Sequence, residues 1–121
     1  MARRISFWLT KRQFLDGTKT VTRRMGWEHL RGGEELVAIE KGQGMKAGDA
    51  QIVLGRIRVR SARRESLDRM TIDEDYGQRE CEREGFPEMT PEQFVEFFCK
   101  SHTGCYPSRR ITRIEFERLA P

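Results

Sequence analysis

The residues best suited to chemistry are concentrated in one stretch, residues 17–24, which reads Gly-Thr-Lys-Thr-Val-Thr-Arg-Arg. A glycine that can turn the backbone is followed by one lysine, three threonines and two arginines. These donors favour an anionic or polar partner. A second interpretation is also open, because Thr20, Val21 and Thr22 alternate like an ordinary strand and exposed basic side chains are commonly solvated.

A second basic pattern lies further along the chain. The apolar Ile57 and Val59 alternate with Arg56, Arg58 and Arg60. This period of two predicts a strand with guanidinium groups about 7 Å apart along one face. The row is either a solvated outer face or a track for phosphates, because three aligned cations without an interleaved acid repel one another unless an anion screens them.

Charge is distributed unevenly over the 121 residues, although the net charge is only +4. Residues 1–24 hold seven Lys and Arg against Asp16 alone, whereas residues 65–99 hold eleven Asp and Glu against three Arg. This segregation favours an anionic ligand on one face of the protein. The acidic helical segment allows one further interpretation, a surface that binds another protein.

Length and composition predict a single domain over residues 1–121 with a core of its own. No apolar run approaches the length of a membrane-spanning helix, and the N-terminal Met-Ala-Arg-Arg has no apolar signal core behind it. We therefore expect a cytoplasmic protein without a membrane partner. The three cysteines show no disulfide-scaffold spacing, which agrees with a reducing compartment.

A cysteine and histidine pattern near the C-terminus resembles half of a zinc site. Cys99, His102 and Cys105 form C-x-x-H-x-x-C, but a closed site would need His29 or Cys81 from far along the sequence. A small buried thiol is the simpler interpretation of Cys99. We predict no metal and no other cofactor.

Three helices are predicted from their end signals. The first begins at Thr10, with Gln13 as its capping-box partner, and ends at Gly17. The second covers residues 73–84, in the acidic part of the chain. The third begins in residues 90–93, Thr-Pro-Glu-Gln, which combine an N-cap, a proline at the first helical position and a capping-box glutamine.

The strands complete an alternating order of elements. Their predicted positions are residues 5–9, 35–41, 52–60 and 111–119. The glycine-rich segment 42–49 lacks the spacing of a phosphate-binding loop and is predicted to be a flexible loop. The order of strand, short helix, strands, two helices and final strand predicts an α+β fold, a small mixed or antiparallel β-barrel with helices packed on it.

The large aromatic residues divide between core and ligand contact. Phe94, Phe97 and Phe98 lie at i, i+3 and i+4 and predict a core-facing helical stripe. Trp8, within an apolar run, is predicted to lie in the core. Trp27 follows a glycine and is the better candidate for stacking on a base, although packing within its own segment is an equally good interpretation.

Taken together, these features resemble the ASCH domain. The resemblance rests on a G-x-K-x-x-T-x-R motif, formed here by Gly17, Lys19, Thr22 and Arg24. Around it stand an E-L-V-A-I-E-K strand, a strand with a basic face, an acidic helix ending in Glu-Gly-Phe and a final I-x-R-I-E-F strand. The resemblance covers nearly the whole chain and implies a PUA-like barrel with helices closing a central cleft.

The resemblance also implies a function connected with RNA. Many members of the family are presumed to bind RNA, one branch hydrolyses acetylated cytidine nucleosides, and another is described as a ribonuclease acting on single strands. In the amidohydrolase branch, the lysine and threonine of the motif work with a glutamate from the following helical region. Carried over to this chain, the resemblance implies Lys19, Thr22 and Glu84 as catalytic residues, with Glu80 as the alternative glutamate.

This chain departs from the amidohydrolase branch in two respects. Residues 27–48 form an additional segment that could reshape or cover the cleft, and Arg23 adds a charge where that branch has an apolar residue. We therefore expect an RNA- or nucleotide-binding domain, or alternatively a small hydrolase acting on an acylated cytidine nucleoside or on single-stranded RNA. The candidate ligand-binding residues are Gly17, Arg23, Arg24, Trp27, Arg56, Arg58 and Arg60. The expected partner is RNA, a nucleotide or a modified nucleoside.

Overall fold

A computed structural model describes residues 3–41 and 50–120 of the chain. Within these ranges the chain forms five strands and four helices. In chain order they are β1 (Arg4–Ser6), α1 (Lys11–Leu15), β2 (Val21–Arg24), β3 (Glu35–Ile39), β4 (Val53–Ser66), α2 (Arg69–Ile72), α3 (Glu74–Glu84), α4 (Pro91–Ser101) and β5 (Arg110–Arg118). The glycine-rich segment predicted as a loop lies outside the described residues.

The strands form one mixed sheet in the order β1-β3-β4-β5-β2. β1 runs parallel to β3, and the other neighbouring strands are antiparallel. β4 is longer than its alternating pattern predicts, because its second half continues to pair with β5 as far as Ser66 opposite Arg110. The sheet curls into a half-barrel with β1 and β2 as its edges, which confirms the α+β prediction of a small mixed barrel.

Two apolar cores lie within this framework. The first is built on a group of aromatic rings, with Phe7 stacked on Phe14 at 4.6 Å and tilted against Phe116 at 5.5 Å between ring centroids. The second lies among the helices and includes Leu67, Met70, Phe94, Phe98 and Ile111. The functional site described below lies where these two cores meet.

Helix α4 begins as its sequence predicts. Thr90 Oγ1 accepts a hydrogen bond from the Gln93 backbone N–H at 3.1 Å, and Gln93 Oε1 accepts one from the Thr90 N–H at 2.9 Å. Pro91 occupies the first helical position, where its missing N–H has no intrahelical partner to lose. The capping box is confirmed, and the helix buries Phe94 and Phe98 as the apolar stripe predicts.

Two predictions near the N-terminus are wrong. The first strand ends at Ser6, and the chain then turns, which leaves the Trp8 side chain 54% exposed instead of buried in the core. At the start of α1, Thr10 makes no side-chain capping hydrogen bond. Its expected partner Gln13 instead donates from Nε2 to the carbonyl oxygen of Gly85 at 3.1 Å. A tertiary contact therefore uses the side chain that the local pattern assigned to the cap.

Candidate functional site

A cavity of about 280 Å³ opens between the edge strands, the end of α3 and helix α4. Its polar lining includes Lys19, Thr22 and Glu84, the three residues that the family resemblance singled out. Its aromatic lining comprises Phe7, Trp8, Phe86, Phe94, Phe97 and Phe98. The structure therefore brings the three predicted polar residues to one concave site with apolar walls.

Lys19 and Glu84 form a buried ion pair in this cavity. Lys19 Nζ donates to Glu84 Oε1 at 2.9 Å and to the Glu84 carbonyl oxygen at 2.7 Å. Their side chains are only 3% and 4% exposed. The backbone holds the two segments together as well, because the Thr20 N–H donates to the carbonyl oxygen of Arg83 at 2.8 Å. The amine is thus fixed at the C-terminal end of α3.

Gly85 gives α3 the ending that this contact needs. Its backbone has a φ of 96°, in the left-handed region that favours glycine after a helix. A Cβ atom at this position would lie 2.9 Å from the Cβ of Gln13 and 3.6 Å from the Cβ of Lys19. The close approach of α1 and the Lys19 loop to the helix end therefore depends on a residue without a side chain.

Burial changes the acid–base properties of Lys19. Removal from water lowers the pKa of its amine from the usual 10.5, and the nearby Arg24 and Arg23 act in the same direction, while Glu84 opposes them. The amine therefore gives up its proton more readily than a lysine in water. This is the property that a lysine needs before it can act as a general base.

Thr22 and Arg24 occupy the β2 side of the cavity. Thr22 is 3% exposed, and its Oγ1 accepts a hydrogen bond from Arg24 Nε at 3.0 Å. Arg24 Nη2 donates to the carbonyl oxygen of Ser6 at 2.5 Å. Burial lowers the pKa of Arg24 to about 10, although the Glu84 charge opposes this effect. Among the described residues, no carboxylate lies within ion-pair distance of the Arg24 guanidinium, which leaves it suited to an anionic ligand group.

Arg23 lines the cavity and also belongs to a buried ion network, while its predicted contact with a ligand stays a prediction. Its side chain is fully buried, and its terminal nitrogens donate to Glu80 Oε1 at 2.6 Å, to Glu65 Oε2 at 3.1 Å and to Glu84 Oε2 at 3.2 Å. The guanidinium is thus held by three carboxylates at the cavity wall. Within the described part of the chain, its Nε is the one buried side-chain nitrogen or oxygen without a hydrogen-bond partner.

The same ion network decides between the two candidate glutamates. Glu80 is fully buried, and Arg113 holds both of its oxygens, at 2.5 and 3.1 Å. Burial would raise the pKa of Glu80, but Arg113, Arg23 and Arg83 outweigh it and hold that pKa well below its usual 4.5. Glu80 is therefore a charged structural residue, whereas Glu84 lines the cavity.

Sequence reasoning missed several members of this network. Glu65 and Arg113 come from strands that pair in the sheet, and Tyr76 donates its hydroxyl to Glu65 at 3.0 Å. One signal was present, because Tyr76, Glu80 and Glu84 follow one another at intervals of four and so share a helix face. All three are buried, so this polar face is the one that α3 turns inward.

The row of arginines on β4 lies on another surface. Arg56 is hydrogen-bonded to Glu35, and Arg58 forms ion pairs with Glu35 at 3.4 Å and with Glu117 at 3.5 Å. Residues 56–60 contain no acid themselves, but the neighbouring strands β3 and β5 supply carboxylates to Arg56 and Arg58. Arg56 and Arg58 line none of the cavity, and neither does Arg60.

The other two predicted contact residues also lie away from the cavity. Gly17, with a φ of 82° after α1, borders a separate groove that also contains Arg60. Trp27 has a φ of 55°, is partly buried against the first core and lies under the Arg3 guanidinium, 4.7 Å from its ring centroid. It lines a groove next to the cavity instead.

The C-x-x-H-x-x-C pattern is not assembled as a metal site. Cys99 Sγ and Cys105 Sγ lie 3.3 Å apart, but His102 stacks on the ring of Phe98 at 4.1 Å. Its Nδ1 lies 2.8 Å from the Phe98 carbonyl oxygen. In residues 3–41 and 50–120, no group of three or more potential metal-ligating side chains converges. None of the helices in these ranges is long and apolar enough to cross a membrane.

Comparison with known proteins identifies the fold. No protein-family model matches the sequence, and neither does any curated protein. Among solved structures, the hypothetical protein PH0355 matches with a TM-score of 0.66 at 14% identity, over 98% of this chain and 100% of that one. Protein EF3133 of family DUF984, from Enterococcus faecalis V583, matches with a TM-score of 0.67 at 17% identity, over 98% and 80% of the two chains.

A third solved structure carries the ASCH name. A point mutant of ZmASCH from Zymomonas mobilis matches with a TM-score of 0.55 at 14% identity, over 96% of this chain and 73% of that one. The curled half-barrel with packed helices is thus a PUA-like fold. The chain has the fold of an ASCH-like domain, as its motif and order of elements predict.

Proposed function

We propose that the cavity binds the base of a nucleotide or nucleoside, and that the protein is a nucleotide- or RNA-binding domain. The observation that carries the proposal is the convergence of Lys19, Thr22 and Glu84 among aromatic walls. A volume of about 280 Å³ is close to the lower limit of about 300 Å³ for pockets that hold small ligands. The cavity therefore suits a ligand the size of a single nucleoside.

The lining provides the two kinds of contact by which proteins recognise an unpaired base. Phe97, Phe86 and the exposed Trp8 offer rings for stacking. The Glu84 carboxylate accepts hydrogen bonds, Lys19 donates them, and the Thr22 hydroxyl does either. Such a combination recognises the hydrogen-bonding edge of a base that stacks on an aromatic wall.

Binding is tested by titrating the protein with cytidine, uridine, adenosine and guanosine and with a short single-stranded RNA, followed by calorimetry. We expect one nucleoside to bind in preference. Glu84→Gln should weaken that binding, and Phe97→Ala should weaken it by about 5- to 150-fold if the base stacks on this ring. Arg58→Glu is the control, because Arg58 lies on the outer face. Equal affinity of Glu84→Gln and wild type, or loss of binding in Arg58→Glu alone, would contradict the proposal.

A hydrolase is the second candidate, and it is favoured by the lowered pKa of Lys19 in the cavity that this residue lines together with Thr22. In this scheme, Lys19 first releases its own proton to solvent, and the neutral amine then accepts the proton of the Thr22 hydroxyl as the threonine oxygen attacks the acyl carbonyl of an acylated cytidine. Arg24, already bonded to Thr22, stabilises the developing oxyanion. Lys19 then returns the proton to the leaving amine, and water releases the acid from Thr22. Glu84 keeps the lysine in place throughout.

The hydrolase is tested by following the release of acetate from acetylated cytidine. Lys19→Met and Thr22→Val should each abolish turnover, while Arg58→Glu should retain it. Incubation with a labelled single-stranded RNA separates the ribonuclease alternative, because strand cleavage produces new RNA ends. Undiminished turnover in Thr22→Val would exclude the threonine as nucleophile.

A further inference from the structure

A second groove adjoins the cavity along the edge strand β1. It is lined by Arg4, Trp8, Arg24, Trp27 and Lys41, together with Ser6 and two isoleucines. Ser6, Trp8 and Arg24 line both the cavity and this groove. A ligand held in the cavity that is longer than one base and sugar can therefore continue past the Arg24 guanidinium into the groove.

The groove is a cationic surface without acidic lining. Arg4, Arg24 and Lys41 are its charged residues, and no carboxylate borders it among the described residues. Arg4 is hydrogen-bonded to the neutral amide of Gln51, and Lys41 Nζ lies 5.1 Å from the centroid of the Trp8 ring. Three cations that face one groove repel one another, and an anion between them would remove this repulsion.

The outer face of β4 shows the contrasting arrangement. There Arg56 and Arg58 share Glu35, and Arg58 also reaches Glu117, so their charges are already compensated on the protein. An anion on that face would have to compete with these carboxylates. In the groove, no carboxylate among the described residues would compete with a bound anion. Arg24 is partly buried, so water does not fully hydrate its charge in place of an anion.

We infer that this groove binds a phosphate group attached to the nucleoside in the cavity, so that the ligand is a phosphorylated nucleoside unit. The inference rests on the proposed function, since it extends the ligand of the same cavity. Arg24 contacts the phosphate where the two spaces join, and Arg4 and Lys41 contact it from the groove. Trp8 and Trp27 offer aromatic surface to whatever follows the phosphate.

The experiment compares the preferred nucleoside with its 5′-monophosphate, its 3′-monophosphate and a dinucleotide that begins or ends with it. For the wild type we expect a phosphate to increase affinity about tenfold or more, and the increase should fall as salt rises. The double variant Arg4→Gln/Lys41→Gln should lose most of this increase and still bind the nucleoside as the wild type does. Both residues are solvent-accessible, so the substitutions remove charge without opening the core.

The matched control is Arg56→Gln/Arg58→Gln, which removes the same number of charges from the outer face and should keep the full increase. A gain with a monophosphate supports a free nucleotide as ligand, and a gain confined to the dinucleotide supports an RNA strand. If the nucleoside binds but phosphate adds nothing, or if the groove variant keeps the gain, the inference is overturned while the proposed function stands. If no nucleoside binds, both are overturned.

Discussion

Arg24 on β2 donates a hydrogen bond from Nη2 to the carbonyl oxygen of Ser6 on β1 at 2.5 Å. These strands are the two edges of the sheet, at opposite ends of its order. A side chain therefore joins the edges of the half-barrel where no backbone pairing does. The same guanidinium also donates to Thr22 and lines both the cavity and the basic groove, where the two spaces join.

Arg24→Lys tests this bridge. A lysine keeps the charge but lacks the planar fork that reaches Thr22 and Ser6 together. We expect the free energy of unfolding to fall by about 1–3 kcal/mol, because two hydrogen bonds from a charged donor are lost at a partly buried site. Urea denaturation measures this loss. Arg12→Lys, an exposed substitution on α1, is the control and should be neutral. If Arg24→Lys is as stable as the wild type, the bridge does not hold the edges together.

Lys19 and Glu84 should be energetically coupled. The single variants Lys19→Met and Glu84→Gln each remove one partner of a buried pair, and the double variant removes both. Because the two groups touch, we expect a coupling energy of about 1–3 kcal/mol in the unfolding cycle. Strictly additive effects, within about 0.5 kcal/mol, would mean that Arg23 alone compensates Glu84.

Glu80→Gln should be among the most damaging single substitutions in this protein. It leaves the buried Arg23 and Arg113 without their shared carboxylate, at a cost of about 3–5 kcal/mol. That is a large part of the roughly 5–15 kcal/mol by which a domain is usually stable. Glu82→Gln, on the exposed side of the same helix, is the control and should unfold like the wild type. Similar melting temperatures for the two variants would contradict the role assigned to Glu80.

The same network predicts the response to acid. The folded-state pKa of Glu80 lies below its usual 4.5, and that of Glu65 is lowered as well, because arginines outweigh the effect of burial. Both carboxylates therefore contribute stability above about pH 4.5, and this contribution is lost as the pH falls toward their folded-state values. We expect the free energy of unfolding to decline steeply below about pH 4.5 in the wild type. The decline should be shallower in Glu80→Gln, and parallel curves would argue against the network.

Gly85→Ala should disturb the cavity through the end of α3. The backbone at this position is left-handed, a conformation that costs a residue with a side chain about 1–2 kcal/mol. The Cβ of the alanine would also lie too close to the side chain of Gln13. Gly104→Ala is the matched control, because its φ is also positive, at 78°, but open space surrounds its Cβ. We expect Gly85→Ala to lose more stability than Gly104→Ala and to weaken ligand binding as well. Equal losses in the two variants would mean that the contact with Gln13 does not matter.

Much of the fold was predictable because its signals are local. The capping box of Thr90 and Gln93 closes within one helical turn, so the sequence is sufficient to place the start of α4. The alternation around Ile57 and Val59 requires a strand with one buried face wherever that strand lies. The motif that contains Lys19 and Thr22, combined with the order of these elements, was enough to indicate the fold. It also indicated Lys19 and Thr22 themselves as polar residues of the cavity.

Other features were decided by contacts between distant parts of the chain. Glu80 and Glu84 lie one turn apart on the same inward face, and only the position of α3 over the sheet places Arg113 against the first and Lys19 against the second. The exposed Trp8 likewise depends on where β1 stops pairing with β3, after Ser6.

The arginine row shows the physical reason for this division. Arg58 has no acid beside it in the sequence, yet strand register sets Glu35 and Glu117 opposite it on its two neighbours. Local patterns determine which face of an element is apolar, because that depends on the period of the backbone. Charge compensation depends on which elements become neighbours, and that is decided only when the whole chain packs.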